Sequence, residues 1–258
     1  MQGGESMVCR TITFGNFKGG TGKTSNCTLS GLEFAKRGYK TLLVDLDPQA
    51  NASSGLGFRS AKQGVYEALI GSISLSELIF KTAKDNYYIL PATIALSGAS
   101  VELVNVDNRE YRLKMALDQI RDNFDYIIID GPPSLGLLTI NSLCASDEVL
   151  IPIQSEYYAL EGLGQLLETI SLIQNNLKED LGILGVLITM FDKRNRLSSL
   201  VKDELYKYFP NKVFKTIIPR SVRLAEAPSY GLSILDYDPG SKAAKAYESL
   251  AQEVINLT

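Results

Sequence analysis

Asn16-Phe17-Lys18-Gly19-Gly20-Thr21-Gly22-Lys23-Thr24-Ser25 is the stretch that decides the fold. It follows directly on a short β-branched run, Thr11–Phe14, and opens into a helix-length segment, Thr24–Arg37. Gly38 stops that segment, with Lys36 and Arg37 in its last turn. Strand, glycine-rich turn and helix N-terminus, in that order, form the context in which a backbone wraps a phosphate. The glycines let several N–H groups point at an anion, and the helix dipole adds favourable potential there. Lys23 is placed to bridge the β- and γ-phosphates of a nucleotide, and the Thr24 hydroxyl to ligate Mg2+.

Two acidic stretches downstream complete the set. Leu42-Leu43-Val44-Asp45-Leu46-Asp47-Pro48 puts two aspartates two apart at the end of an apolar run. On a strand they point the same way, at the carboxyl end where α/β sites form. Tyr126-Ile127-Ile128-Ile129-Asp130-Gly131-Pro132-Pro133 is a strand that ends in an acid, the form of a Walker B motif. A carboxylate ending a wholly buried strand is costly unless a metal or hydrogen bonds compensate. Asp130 is therefore expected to hold Mg2+, through a water or the Thr24 hydroxyl. The two prolines stop the strand and shape the loop after it.

The remaining chain repeats the alternation. Strands are expected at Thr11–Phe14, Thr41–Val44, Tyr126–Ile129, Val149–Ile153, Ile183–Thr189 and Val213–Ile218. Being apolar throughout, they suit strands covered on both faces. Helices are expected at Thr24–Arg37, Arg109–Asp122, Leu160–Asn176, Leu197–Tyr208 and Ser241–Ile255. The pattern predicts a three-layer α/β P-loop NTPase fold, with a mostly parallel central sheet and helices on both faces. No linker, charge block or repeat divides the 258 residues, so one domain spanning 1–258 is expected. Residues 1–6, MQGGES, read as a flexible extension, with the folded part beginning near Met7.

Composition removes several classes. There is no His, so triads, zinc sites and pH switches built on it are out. Cys9, Cys27 and Cys144 lie far apart and form no CxxC pair, as expected of reduced cytosolic thiols. The apolar runs are strand-length, too short to span a membrane. Net charge is −3, but residues 192–223 carry nine Lys/Arg against three acids, a balance of +6 that leaves −9 for the rest.

The glycine-rich stretch departs from the ordinary Walker A pattern, with Phe17 where a first glycine is usual and a second lysine, Lys18, inside the turn. KGGxGK[ST] is the deviant signature of the ParA/MinD group, and the chain resembles the ParA/Soj partitioning ATPases over nearly its whole length. The likeness runs through residues 90–93, 133–141, 156–162 and 218–229. Thr21 replaces a usual Val and Ser25 a usual Thr. The resemblance implies ATP and ADP bound with Mg2+ by Lys18, Gly19, Gly20, Thr21, Gly22, Lys23, Thr24 and Ser25. In that family the early lysine, here Lys18, reaches across a two-fold interface to the partner's nucleotide, so a sandwich homodimer forms on ATP. VDxDPQxN makes Asp47 the residue that positions the attacking water, beside a metal set of Thr24, Asp47 and Asp130, with Asp45 supporting the loop or the metal's outer shell.

Turnover is expected to be slow until a ParB-type activator protein accelerates it. The ATP-bound dimer is expected to coat DNA without reading sequence, through Arg194 and Arg223, then Arg220 and Lys193. The +6 segment gives that an independent reason, since phosphate neutralisation drives non-specific binding through counterion release. Adenine contacts are implied for Met190 and Pro219. The expected location is cytoplasmic and nucleoid-associated.

Three rival readings remain. A MinD-like membrane-associated ATPase would end in a basic amphipathic helix. Here residues 243, 247, 250, 251 and 254 make an apolar stripe, but the other face mixes Lys and Glu, which suits a helix packed on the domain, and no membrane partner is expected. An iron–sulfur carrier needs closely placed cysteines. A non-enzymatic ATP-switched scaffold would leave Asp47 without a task. With the phosphate loop near residue 18, no N-terminal helix-turn-helix domain is expected.

Overall fold

The computed structural model describes residues 8–156 and 159–257. The expected extension at 1–6, the expected start near Met7 and Tyr157–Tyr158 of the 156–162 stretch lie outside the described residues. Among the described residues seven strands are present: β1 (Arg10–Phe14), β2 (Thr41–Asp45), β3 (Phe80–Lys81), β4 (Tyr87–Leu90), β5 (Tyr126–Asp130), β6 (Glu148–Gln154) and β7 (Gly182–Thr189). They form one sheet in the order β3-β4-β2-β5-β1-β6-β7. Only β3 runs antiparallel, at the edge beside β4.

Helices follow the strands. α1 (Lys23–Lys36) succeeds β1, and α2 (Asn51–Gly55), α3 (Val65–Ile70) and α4 (Leu75–Leu78) lie between β2 and β3. Next come α5 (Leu96–Glu102), α6 (Arg112–Leu117), α7 (Leu137–Ala145) and α8 (Ala159–Asn176). After β7 come α9 (Arg196–Tyr208), α10 (Val222–Glu226), α11 (Ile234–Tyr237) and α12 (Lys242–Ile255).

The uniformly apolar strands are buried on both faces, with alternate residues going to opposite sides. Ile12, Leu43, Ile128 and Leu150 join Leu32 of α1 and Tyr247 and Leu250 of α12 in one cluster. Leu42, Val44, Ile127 and Ile129 face the other way, onto Leu69, Leu113 and Leu138. Beyond β1, Val149, Ile151, Val186 and Ile188 pack with Leu166 and Ile170 of α8 and Leu205 of α9. Each cluster encloses one free cysteine: Cys27 the first, Cys9 the second and Cys144 the third. α1 sits tightly on the sheet, because a Cβ on Gly31 would fall 2.2 Å from Ile128 Cδ1 and 2.8 Å from the Tyr87 hydroxyl. The expected apolar stripe of α12 is turned inward, with residues 243, 247, 250, 251 and 254 all buried against that cluster.

Two expectations need correction. Val213–Ile218 is not a strand. Val213 makes one bridge to Val186, and then the Lys215 and Thr216 amides donate to the Glu253 carboxylate at 2.7 and 2.9 Å, leaving the ladder. Arg109–Asp122 is not one helix: 3₁₀ turns at Arg109–Tyr111 and Arg121–Asn123 flank the six residues of α6. The Asn141 side chain causes the first break. It accepts from the Leu113 amide at 3.0 Å and donates to the Arg109 carbonyl at 2.8 Å, occupying the pair that a helical bond would join. β3, β4, the short helices α2 to α5, α7, α10 and α11 were not among the expected elements.

The register delivers the site. Phe14 of β1, Asp130 of β5 and Asp45 of β2 are direct partners, so the phosphate loop and two of the three acids leave the sheet at one level.

Candidate functional site

The loop between β1 and α1 is an open cradle. Gly20 and Gly22 hold φ of 75° and 82°, and a Cβ on Gly19 or Gly20 would meet nothing within 4 Å. Neighbouring side chains fix its outer side. Gln154 at the end of β6 donates to the Gly20 carbonyl at 2.6 Å, and Thr189 at the end of β7 donates to that of Thr21 at 3.0 Å. Asn26 in α1 donates to the Gly22 carbonyl at 2.7 Å. In a trans peptide the N–H points opposite to its carbonyl, so these bonds turn the following amides to the other side. Asn16 braces the start of the loop. Its Nδ2 donates to the Pro152 carbonyl at 2.7 Å and its Oδ1 accepts the Lys18 amide at 2.9 Å. The first amides of α1 have no intrahelical acceptor and face the same space.

Lys23 is buried in this cradle, 6% exposed, with Nζ 3.4 Å from the Lys18 carbonyl. Burial pushes its pKa down, and Asp130 and Asp47 pull it back up. Thr24 is half-buried and Ser25 exposed. Lys18 is half-buried, its ammonium 3.8 Å from a Glu156 carboxylate oxygen.

The three acids differ sharply. Asp45 is fully enclosed and fully bonded. Oδ1 accepts the Asp47 amide at 3.2 Å, and Oδ2 accepts the amide and hydroxyl of Ser53 at 2.8 and 2.6 Å. Burial raises its pKa to about 6, against the opposing pull of the Ser53 bonds. The Ser53 hydroxyl also accepts the Ala92 amide at 2.9 Å, so Asp45 ties the end of β2 to α2 and to the segment after β4. Asp47, 7% exposed, uses Oδ1 to accept the Gln49 amide at 3.0 Å. Asp130 is fully buried, and neither of its oxygens has a hydrogen-bond partner. Burial and the neighbouring Asp45 raise its pKa to about 8; the Thr24 hydroxyl pulls it down without reaching full hydrogen-bond geometry, as does Lys23.

An unpartnered carboxylate beside a threonine hydroxyl and a phosphate cradle fits Mg2+, which binds through one or two protein groups, phosphate oxygens and water. Among the described residues no three His, Cys, Asp or Glu side chains cluster to cage a metal, an arrangement Mg2+ does not require. Asp130, Thr24 and the half-engaged Asp47 are the residues able to hold it.

Met190, with φ of 52°, lies against the cradle. Its sulfur accepts from Gln154 Nε2 at 3.1 Å, and a Cβ on Gly22 would be 3.8 Å from its methyl. Pro219 pairs with Phe191, through Phe191 N–H to the Ile218 carbonyl (3.1 Å) and Arg220 N–H to the Phe191 carbonyl (3.0 Å). Lys193, Arg194, Arg220 and Arg223 are all exposed. Arg194, its side chain 91% exposed, forks onto Asp192 at 2.9 and 3.1 Å and holds that carboxyl down at about 2. Arg220 lies 3.5 Å from Glu156, the acid that also approaches Lys18. Arg223 contacts the Tyr237 hydroxyl at 3.2 Å.

Sequence reasoning gave no site role to Gln154, Thr189, Ser53 or Glu156. For Gln154 a signal exists, a polar residue closing an apolar strand, the same signal that marks Asp130. Ser53 carries none.

Residues 9–183 match the model of the AAA domain family. The chain is 53% identical over 247 residues to "Sporulation initiation inhibitor protein Soj" of Bacillus subtilis (strain 168), covering 95% of this chain and 98% of that protein. It is 48% identical over 254 residues to "Chromosome partitioning protein ParA" of Myxococcus xanthus (strain DK1622), covering 98% and 90%. Among solved structures, cobyrinic acid a,c-diamide synthase from Mycobacterium smegmatis with bound ADP and magnesium superposes with a TM-score of 0.86, at 35% identity over 96% of this chain and 94% of that one.

Proposed function

This chain belongs to the ParA/Soj family of chromosome-partitioning ATPases, and from that premise we propose how its residues carry the reaction and the working cycle. ATP binds with its phosphates on the amides of residues 19–25, and Lys23 meets the β- and γ-oxygens. Thr24, Asp130 and Asp47 would hold Mg2+, which would supply charge neutralisation for the phosphates. Asp47, with one oxygen anchored by the Gln49 amide, orients a water against the γ-phosphorus. The water oxygen bonds to phosphorus, the bond to the β–γ bridging oxygen breaks with its electron pair staying on ADP, and the water's protons leave with the phosphate and to solvent. Phosphoryl transfer asks a protein mainly for position and charge, which these groups provide.

The observation that carries this reading is the pairing of the braced cradle with Asp130, whose buried oxygens have no protein partner. Lys18 joins the second copy's nucleotide in an ATP-dependent dimer, and Met190 and Pro219 flank the adenine. The dimer binds DNA without sequence preference through Lys193, Arg194, Arg220 and Arg223. A ParB-type activator triggers hydrolysis and release, in the cytoplasm and on the nucleoid. The burial of the α12 stripe favours DNA over a membrane surface as the target.

The test is a gel shift with sequence-unrelated duplex DNA in ATP and in ADP, run beside anionic liposomes and beside phosphate release. ATP-dependent DNA binding that weakens steeply with salt supports the reading. Binding to liposomes alone would transfer the chain to the membrane branch, and DNA affinity insensitive to salt would remove the phosphate-contact role. Asp47→Ala is expected to retain ATP while losing about 100-fold or more in turnover, the usual scale for a group that aligns a proton-bearing nucleophile.

A further inference from the structure

Arg223 differs from the other exposed arginines in what holds it. Arg194 forks onto the Asp192 carboxylate, and Arg220 stands 3.5 Å from a Glu156 oxygen with no ring beneath it among the described contacts. Arg223 instead donates Nη1 to the Tyr237 hydroxyl at 3.2 Å, and its guanidinium carbon lies 5.7 Å from the centre of the Tyr237 ring. The nearest acid to it, Glu226, is looser at 3.7 Å. A tyrosine fixes a guanidinium without neutralising it, and leaves the remaining N–H donors free.

The ring is itself well fixed. Tyr237 ends α11, whose Ile234 and Leu235 are buried in the core, and Ser233 caps that helix by accepting the Asp236 amide. Asp236 is further pinned by Lys84 at 2.9 Å. Tyr230 stacks on the Tyr237 ring with centroids 5.2 Å apart and planes 20-odd degrees from parallel, at 22°. Arg223 rides on the short α10, capped by Ser221. The ring thus bridges a core-anchored helix to a surface helix that has no buried residue of its own.

We propose that Tyr237 is a positioning residue for DNA binding: it holds the Arg223 guanidinium pre-oriented for a backbone phosphate. This rests on the reading of Arg223 as a DNA contact. An arginine side chain gives up much rotamer freedom when it is fixed, and a group already ordered in the free protein loses less of it on binding.

The experiment measures affinity for unrelated duplex DNA with ATP present, against salt, for the wild type, Arg223→Ala, Tyr237→Phe, Tyr237→Leu and the Arg223→Ala/Tyr237→Leu double variant. Tyr237→Phe keeps the ring and should weaken binding by about two-fold, and Tyr237→Leu by about five-fold, the range of an exposed cation–π contact plus one hydrogen bond. In the Arg223→Ala background, Tyr237→Leu should have no further effect, an outcome that a general structural role would not give. Tyr237 changes that are silent, or that persist undiminished in the Arg223→Ala background, overturn the proposal while leaving the DNA reading intact. An Arg223→Ala variant that binds like the wild type overturns both. ATP-dependent dimer mass, measured on each variant, separates a loss of folding from a loss of contact.

Discussion

Asp45 and Asp130 stand opposite one another in register at the carboxyl ends of β2 and β5, one with every bond made and the other with none. Two neighbouring positions of equal burial therefore have opposite tasks. The satisfied carboxylate holds backbone, and the bare one waits for a cation. Asp130→Asn removes a buried, unpartnered carboxyl whose pKa, raised to about 8, makes folding at neutral pH cost the uptake of a proton. Without nucleotide the variant should be more stable than the wild type by about 1 kcal/mol or more, about 2–4 °C in Tm per kcal/mol for a chain this long. Thermal unfolding in EDTA and in Mg-ATP checks it: the variant should gain little from Mg2+, where the wild type gains much. A variant less stable than the wild type in EDTA would mean the Asp130 carboxyl is compensated after all.

Ser53→Ala should act through Asp45. It deletes the hydroxyl that donates to Asp45 and accepts the Ala92 amide, leaving a buried N–H without its acceptor. A loss of about 2–3 kcal/mol in urea unfolding is expected. Turnover should fall with it, because the Asp47 amide hangs from the same carboxylate. Normal stability with normal turnover would show that the tie is idle.

Lys18→Ala leaves the cradle's braces intact, since Asn16 holds the residue 18 amide and not its side chain. Binding of a non-hydrolysable ATP analogue should persist while dimerisation on it fails. Light scattering reads the difference as one chain mass against two. A dimer of undiminished stability would remove the crossing role from this lysine.

Gly31→Ala sets two magnitudes against each other. Alanine favours an exposed helix interior over glycine by about 1 kcal/mol. Here, however, the added Cβ would fall 2.2 Å from Ile128 Cδ1 and 2.8 Å from the Tyr87 hydroxyl. Overpacking of a close-packed core costs about 1–3 kcal/mol. The clash should win, with a net loss of stability in denaturant unfolding. A more stable variant would show that α1 can lift from the sheet freely.

The sequence revealed most where chemistry contradicts surroundings. Glycines crowded before a lysine have no ordinary structural use, so the cradle was legible; an acid ending an apolar strand marks a special position, but only the fold shows that Asp45 spends its carboxylate on backbone while Asp130 stands bare. Strands covered on both faces were visible as unbroken apolar runs. What escaped depends on partners distant in sequence. Nothing near Lys215 and Thr216 announces that Glu253 takes their amides, and nothing near Arg109 announces Asn141. β4 was missed because its four residues, half of them tyrosine, are too few to establish a period. α7 begins after Gly136, which offers no side chain to cap it, so its start carries no signal. Residues such as Gln154 and Thr189 act on carbonyls far along the chain and become meaningful only once the strands lie side by side.

The three thiols, one sealed in each hydrophobic cluster, make the molecule its own three-channel reporter. Burial pushes Cys9 up to about 12 and Cys144 up to about 11, and Cys27 well above its usual value, so each is shielded chemically as well as sterically. None can react until the packing around it loosens, and the clusters draw on different sets of helices that overlap only at α7. The order in which the thiols become labelled would trace which part of the fold breathes first. Repeating that labelling with nucleotide bound would show how far the grip on a phosphate is felt through the sheet.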